Sequence, residues 1–210
     1  MQFSLLNFAQ SSVDYGLIPS INLNKKLGNH WKLNLKSESR FDFMSDTPTG
    51  TYLLSDFGLV LAHSLSMNGA VAGGYQVRIK DGGLIHRSIQ QFSWVKKING
   101  VKLGHRLVTD QTFQSTSAPH YRFRYRIAAQ LALKGQRVDK REFYLKLNHE
   151  YLNSLKGGSY DLEVRLVPLL GFAIADNNKL ETGIDYRLKG FAGNTIRQNA
   201  WFRLTWYIAL

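Results

Sequence analysis

The run "YRFRYRI" sets Arg122, Arg124 and Arg126 at every second position, with Tyr121, Phe123, Tyr125 and Ile127 between them. In an extended strand alternate side chains share a face, so three guanidinium groups stack about 7 Å apart. On the inner wall of a barrel such a ladder makes a positive constriction that favours anionic solutes, because each planar fork binds carboxylate or phosphate. A second reading competes with this one. Asp110, Glu142, Glu150 and Glu163 fall on adjoining segments, with Arg165 two residues beyond Glu163, and could neutralise the ladder so that paired charges simply fill the interior. The lumen-lining candidates are therefore Arg122, Arg124, Arg126, Glu142, Glu150, Glu163 and Arg165.

Other chemistries find less support. "KLNHEYLNS" brings His149 near Ser154, and His63 and His105 occupy matching positions elsewhere, which raises a lipid-modifying barrel hydrolase. No G-x-S-x-G accompanies them, and a lone interfacial histidine is the simpler reading. With 0 cysteines, thiolate nucleophiles, disulfides and Cys-bound metals are excluded. No His pair at helical spacing and no phosphate-binding glycine loop occurs, so neither metal nor cofactor is expected. The 27 Lys and Arg against 15 Asp and Glu give +12, yet the charges sit singly at alternating positions rather than in a nucleic-acid-binding arm. No enzyme activity and no nucleic-acid partner are expected.

The elements that must carry these residues are strands. "WKLNLKSESRFDF" puts Trp31, Leu33, Leu35, Phe41 and Phe43 on one face and Lys32, Lys36, Glu38, Arg40 and Asp42 on the other. The same alternation predicts strands near 13–27, 31–44, 51–65, 70–80, 84–98, 101–114, 120–134, 140–154, 160–174, 179–189 and 197–210. "DGG", "NG" and "KGGS" are among the turns between them. The strand at 84–98 is the least regular, with Ile89 and Val95 on the face that should be polar. Residues 1–210 form one domain. "MQFSLLNFAQ" reads either as the remnant of a signal peptide over residues 1–10 or as a further strand near 2–9.

Segments of this length exceed the usual globular strand of about five or six residues and match transmembrane strands. No stretch approaches the roughly 20 apolar residues of a membrane helix. A soluble barrel would have to bury all the aromatics inside; two interfacial girdles accommodate them at strand ends. The closing "NAWFRLTWYIAL" then shows its apolar face to lipid and turns Arg203 inward. The fold expected is an all-β, antiparallel, up-and-down transmembrane β-barrel of about 12 strands, with 10 as the alternative, because such barrels normally have an even number. The longer connections (44–51, 114–120, 190–196) fall at one end and the tight turns (27–30, 66–69, 99–100, 175–178) at the other. Centring the 120–134/140–154 hairpin near Arg137 sets Arg124 opposite Glu150, Arg126 opposite Asn148 and Gln130 opposite Tyr144. Across the next turn Glu150 lies beside Glu163 and Asn148 beside Arg165, which puts Arg124 against a carboxylate pair. A slip of two residues keeps the faces and changes the partners.

"GLIPSINLNKKLGNHWKLNLKSESRFDF", "YRFRYRIAAQLAL", "REFYLKLNHEYLNS", "YDLEVRLVPLLGFAI" and "KLETGIDYRLKG" together resemble the uncharacterised outer-membrane barrels grouped as domain-of-unknown-function family 2490. The resemblance implies an outer-membrane location in a Gram-negative cell and carries no settled activity. The last strand is similar to the insertion signal of outer-membrane barrels, although it ends in Leu210 where an aromatic is usual, so the assembly machinery joins outer-membrane lipid as an expected partner. The function expected is a barrel with a polar, net-basic lumen that binds or passes small anionic solutes. The alternatives are a structural or assembly-associated barrel without an open pore and the lipid-modifying enzyme.

Overall fold

The computed structural model describes residues 13–43, 50–114, 117–193 and 196–210. Its elements are β1 (Val13–Leu27), β2 (Trp31–Asp42), β3 (Thr51–Ser64), β4 (Gly69–Lys80), β5 (Gly83–Ile98), β6 (Val101–Gln114), β7 (Ser117–Ala132), β8 (Phe143–Lys156), β9 (Ser159–Ala175), β10 (Asn178–Lys189) and β11 (Arg197–Ala209). Each strand pairs with the next in sequence, and the sheet closes on itself through β1 and β11. The segment 2–9, expected as either strand or signal remnant, lies outside the described residues.

The described strand count of eleven falls between the expected twelve and ten. An up-and-down path with an odd count leaves its first and last strands running the same way, so only a parallel seam can close it. β1 and β11 supply that seam, from Val13 opposite Gln198 to Asn24 opposite Ala209. Parallel hydrogen bonds slant but remain evenly spaced, which is why the even-number expectation is not a requirement. The Ser20 and Thr205 hydroxyls meet across the seam at 2.8 Å, both buried. Gly16 lies beneath the Trp201 ring, where an added Cβ would come within 2.2 Å of the indole.

Turn chemistry accounts for the tight connections. Asp81–Gly82 and Asn99–Gly100 have φ of 51° and 74°, and 48° and 81°. These are the left-handed pairs that two-residue hairpins require, because their twist matches that of the flanking strands. The expected division into a short-turn end and a long-loop end does not hold. At the end assigned to longer loops β6 ends at Gln114 and β7 already begins at Ser117, whereas 133–142, at the end assigned to tight turns, joins β7 to β8 with ten residues. This connection folds onto β9, with Arg141 N donating to Ala173 O at 2.7 Å and Ala173 N donating to Glu142 O at 2.9 Å. Those contacts consume residues that alternation alone assigns to strands.

Burial separates the two registers. On the outer register Leu166 is 42% and Phe123 45% exposed, and dozens of other large apolar side chains are similarly open. On the inner register Glu38, Asp110, Glu150, Asp185 and Arg187 are buried, beside Ile18, Leu152 and Trp201. β5 departs from this rule on both of its faces. Ile89 and Val95 point inward, as the irregular pattern foretold, while Ser88 and Gln90 stand on the exposed face. There Gln90 Nε2 donates to Gln111 Oε1 at 3.2 Å and Gln111 Nε2 returns a bond to Gln90 Oε1 at 3.1 Å. Thr109 Oγ1 and Ser88 Oγ donate to the same two amides. Polar groups on an apolar face are tolerated when they satisfy one another in this way.

Candidate functional site

β7 delivers the arginine ladder to the interior, and β6 supplies its counter-charge. Asp110, fully buried, accepts from Arg122 Nε at 2.7 Å and Arg124 Nη2 at 2.6 Å, with Arg87 of β5 at 3.4 Å. Three guanidinium groups thus converge on one carboxylate. Arg126 is held by Glu150 at 2.7 Å and is the most exposed rung, at 35%. The expected partners are displaced by two residues. Arg126, not Arg124, stands opposite Glu150, Arg124 faces Leu152, and Gln130 faces Lys146 in place of Tyr144. Across the next hairpin Arg165, not Glu163, faces Glu150, and Asn148 faces Val167. The faces survive because the slip is even.

The notion of a guanidinium between two acids holds with a different residue in the role. Arg165 lies 3.0 Å from Glu150 and 2.5 Å from Glu163. Glu142 is a correction: it precedes β8 in the 133–142 connection, where its Oε2 accepts from Asp139 N at 3.1 Å, and it takes no part in the ladder. β8 begins at Phe143, three residues past the expected start at 140, and the polypeptide at Glu142 is turning back onto β9.

The interior contains more than the alternation around the ladder suggested. Glu38 is shared by Lys36 at 2.6 Å, Arg40 at 2.9 Å and Arg203 at 3.6 Å. Asp56 takes a two-bond clasp from Arg78, both at 2.7 Å. Asp185 takes another from Arg187, both at 2.8 Å, and a third bond from Arg203 at 2.7 Å. Glu181 accepts from Lys146 at 2.8 Å and the Tyr144 hydroxyl at 2.9 Å. Tyr144 itself covers Gly171, where an added Cβ would fall 2.1 Å from its ring. Parity along each strand already places these groups inward. Which acid meets which cation depends on register, and no pattern within a single strand reveals it.

Every buried carboxylate here has at least one cation or hydroxyl bonded to it, the condition under which interior charges are tolerated. Cations still outnumber the acids. The acidic centres therefore bind the arginines together without cancelling them, and an arrangement of this kind can hold an additional anion by Coulomb attraction and guanidinium hydrogen bonds. The fold does not bring Ser154 and His149 together. Ser154 sits on the inner register and donates to Asp161 O at 3.4 Å, while His149 is on the outer register and packs edge-on to Tyr151 at 4.6 Å. His105 stacks on Trp94 at 4.8 Å and bonds the Tyr125 hydroxyl at 2.8 Å, and His63 lies 4.5 Å from Trp31. These histidines belong to aromatic clusters on the outer face.

No curated protein shows detectable sequence similarity to the chain. The resemblance read from the strand motifs has its counterpart in a family model, described as a protein of unknown function (DUF2490), which matches residues 17–198, and the chain belongs to that family.

Proposed function

We propose that the chain is an integral outer-membrane β-barrel of a Gram-negative cell whose net-basic interior binds small anionic solutes. The observation that carries this reading is the inverted distribution of polarity, with ion pairs buried inside and large apolar side chains exposed around the outside. Water penalises so extensive an apolar surface, and lipid does not. Strands of 12–17 residues are long enough to cross tilted. Aromatic and histidine clusters such as Trp94–His105 and Trp31–His63 suit an interfacial girdle. Outer-membrane lipid is then the surrounding partner, and the apolar face of β11 is the segment offered to the assembly machinery.

Binding is favoured over passage by the packed middle of the barrel. Asp110, Glu38 and Asp185 are buried there together with Ile18, Leu152 and Trp201, so side chains fill that section. Refolded protein added to a planar bilayer should insert without producing a steady open-pore current. Stable anion-selective steps would replace binding by passage, and failure to enter lipid would overturn the membrane reading.

A further inference from the structure

The interior charge is unevenly spread along the barrel axis. At the end that carries the β1–β2, β5–β6 and β9–β10 turns, Lys26 stands directly opposite Lys32 and Lys97 directly opposite Lys102, all on the inner register. Two inner positions deeper, past Gly104, Arg106 stands opposite Arg126. Like charges placed opposite one another in a sheet repel; elsewhere in the interior such pairs, Arg165 with Arg187 and Glu38 with Asp56, each have oppositely charged partners. Arg126 has Glu150, but Lys26, Lys32, Lys97, Lys102 and Arg106 have no carboxylate in ion-pair reach among the described residues.

This end is also open. Lys32, Lys102 and Arg106 are exposed although they face inward, whereas Glu38 and Asp110, farther along the same two strands, are buried. Part of the facing wall is built of small side chains: Ala62 stands opposite Lys32 and next to Ala72, and Gly104 stands opposite Ala128. The shape is a cup with a basic rim, an unpartnered guanidinium near its floor, and the ion-paired plug beneath.

We infer that this cup is a binding site for a multivalent phosphate-bearing anion. The inference rests on the anion-binding reading above and adds the location and the ligand class. A monovalent anion would relieve one amine and leave its opposed neighbour uncompensated. A group carrying several negative charges spans both opposed lysine pairs at once, the compact ammonium groups act as point charges, and Arg106 provides a planar fork at the floor. A soluble polyphosphate and the phosphates of a lipid headgroup offer the same chemistry.

The test uses the full chain refolded in detergent micelles, with inorganic pyrophosphate as probe and chloride at matched ionic strength as control. Pyrophosphate should raise the melting temperature saturably, and chloride should not. The double variant Lys32→Gln/Lys102→Gln should melt higher than the parent without ligand, because repulsion is relieved, and should bind pyrophosphate about tenfold more weakly. A matching double variant in the plug-free exterior, Lys25→Gln/Lys96→Gln, should leave affinity unchanged. Equal stabilisation by chloride, or unchanged affinity in the Lys32/Lys102 variant, overturns the cup. If pyrophosphate binds but ignores those lysines, anion binding stands and only its location fails; if a folded barrel binds no anion, both fail. In vesicles, competition by phosphatidate over phosphatidylcholine assigns the site to a lipid phosphate, and absence of competition assigns it to a soluble one.

Discussion

Asp110 is the residue on which the arginine cluster most depends, and Asp110→Asn removes its charge while keeping its volume. The carboxylate is fully buried, and the three guanidinium groups around it, from Arg87, Arg122 and Arg124, are 8%, 12% and 19% exposed. Asparagine can still accept through its carbonyl oxygen, but its amide hydrogens turn toward donors, and three buried cations lose their counter-ion. Breaking a buried ion pair by removing one partner costs about 3–5 kcal/mol. Residual solvent access to Arg124 favours the lower end, so a loss of about 3 kcal/mol is expected. Asp81→Asn is the control: Asp81 is 81% exposed and 3.5 Å from Lys80, and its loss should cost no more than about 1 kcal/mol. Urea unfolding of refolded protein in micelles, followed by tryptophan fluorescence, measures both, with an unchanged denaturant slope indicating that the two states are comparable. If Asp110→Asn costs no more than Asp81→Asn, the clustered guanidinium groups do not depend on that carboxylate, and the description of the interior as a compensated network is refuted.

Gly183→Ala should destabilise by about 1–3 kcal/mol, because its Cβ would lie 2.0 Å from the Pro168 carbonyl oxygen, whereas Gly73→Ala, with open space beside it, should be near neutral in the same assay. Gln90→Leu alone leaves the Gln111 amide without its reciprocal partner and should be less stable than Gln90→Leu/Gln111→Leu, which removes both polar groups; a double variant worse than the single would contradict the mutual-satisfaction account. Leu166→Arg or Leu204→Arg, on the exposed apolar register, should cost about 2–4 kcal/mol in lipid if near the membrane midplane. Ala128→Arg, facing inward between Gly104 and Asn148, should cost less when refolding yields are compared in vesicles.

Much of this architecture is legible in the residue order, for a physical reason. A strand whose two faces meet opposite environments must alternate, so the parity of "YRFRYRIAAQLAL" or "YDLEVRLVPLLGFAI" fixes which residues point inward without any knowledge of neighbours. Turn residues such as Asn99–Gly100 mark the ends because few other pairs adopt two consecutive left-handed conformations. Register is different, since it depends on how a connection packs. The 133–142 segment bonds to β9 through Arg141 and Glu142, and that contact, invisible to alternation, moves Arg126 rather than Arg124 opposite Glu150 and withdraws Glu142 from the interior. The parallel seam was hidden for a related reason: β1 and β11 are the two strands farthest apart in sequence, and nothing local in either announces its partner. Arg165 shows the limit most clearly, because the need for a guanidinium between Glu150 and Glu163 was readable and the residue meeting it was not.

The claim underlying the whole account is that the apolar register of the barrel faces lipid and the charged register faces inward. A chain with 0 cysteines permits one thiol to be introduced and labelled at a time. Leu166→Cys and Ala128→Cys, each carrying the same fluorescent label, should be reconstituted in phosphatidylcholine vesicles and exposed to a quencher dissolved in the acyl chains and, separately, to aqueous iodide. The account predicts strong quenching of the residue-166 label by the lipid-phase quencher and little by iodide, with the opposite preference at residue 128. Equal access of both labels to iodide, or lipid-phase quenching at 128 and not at 166, would contradict it.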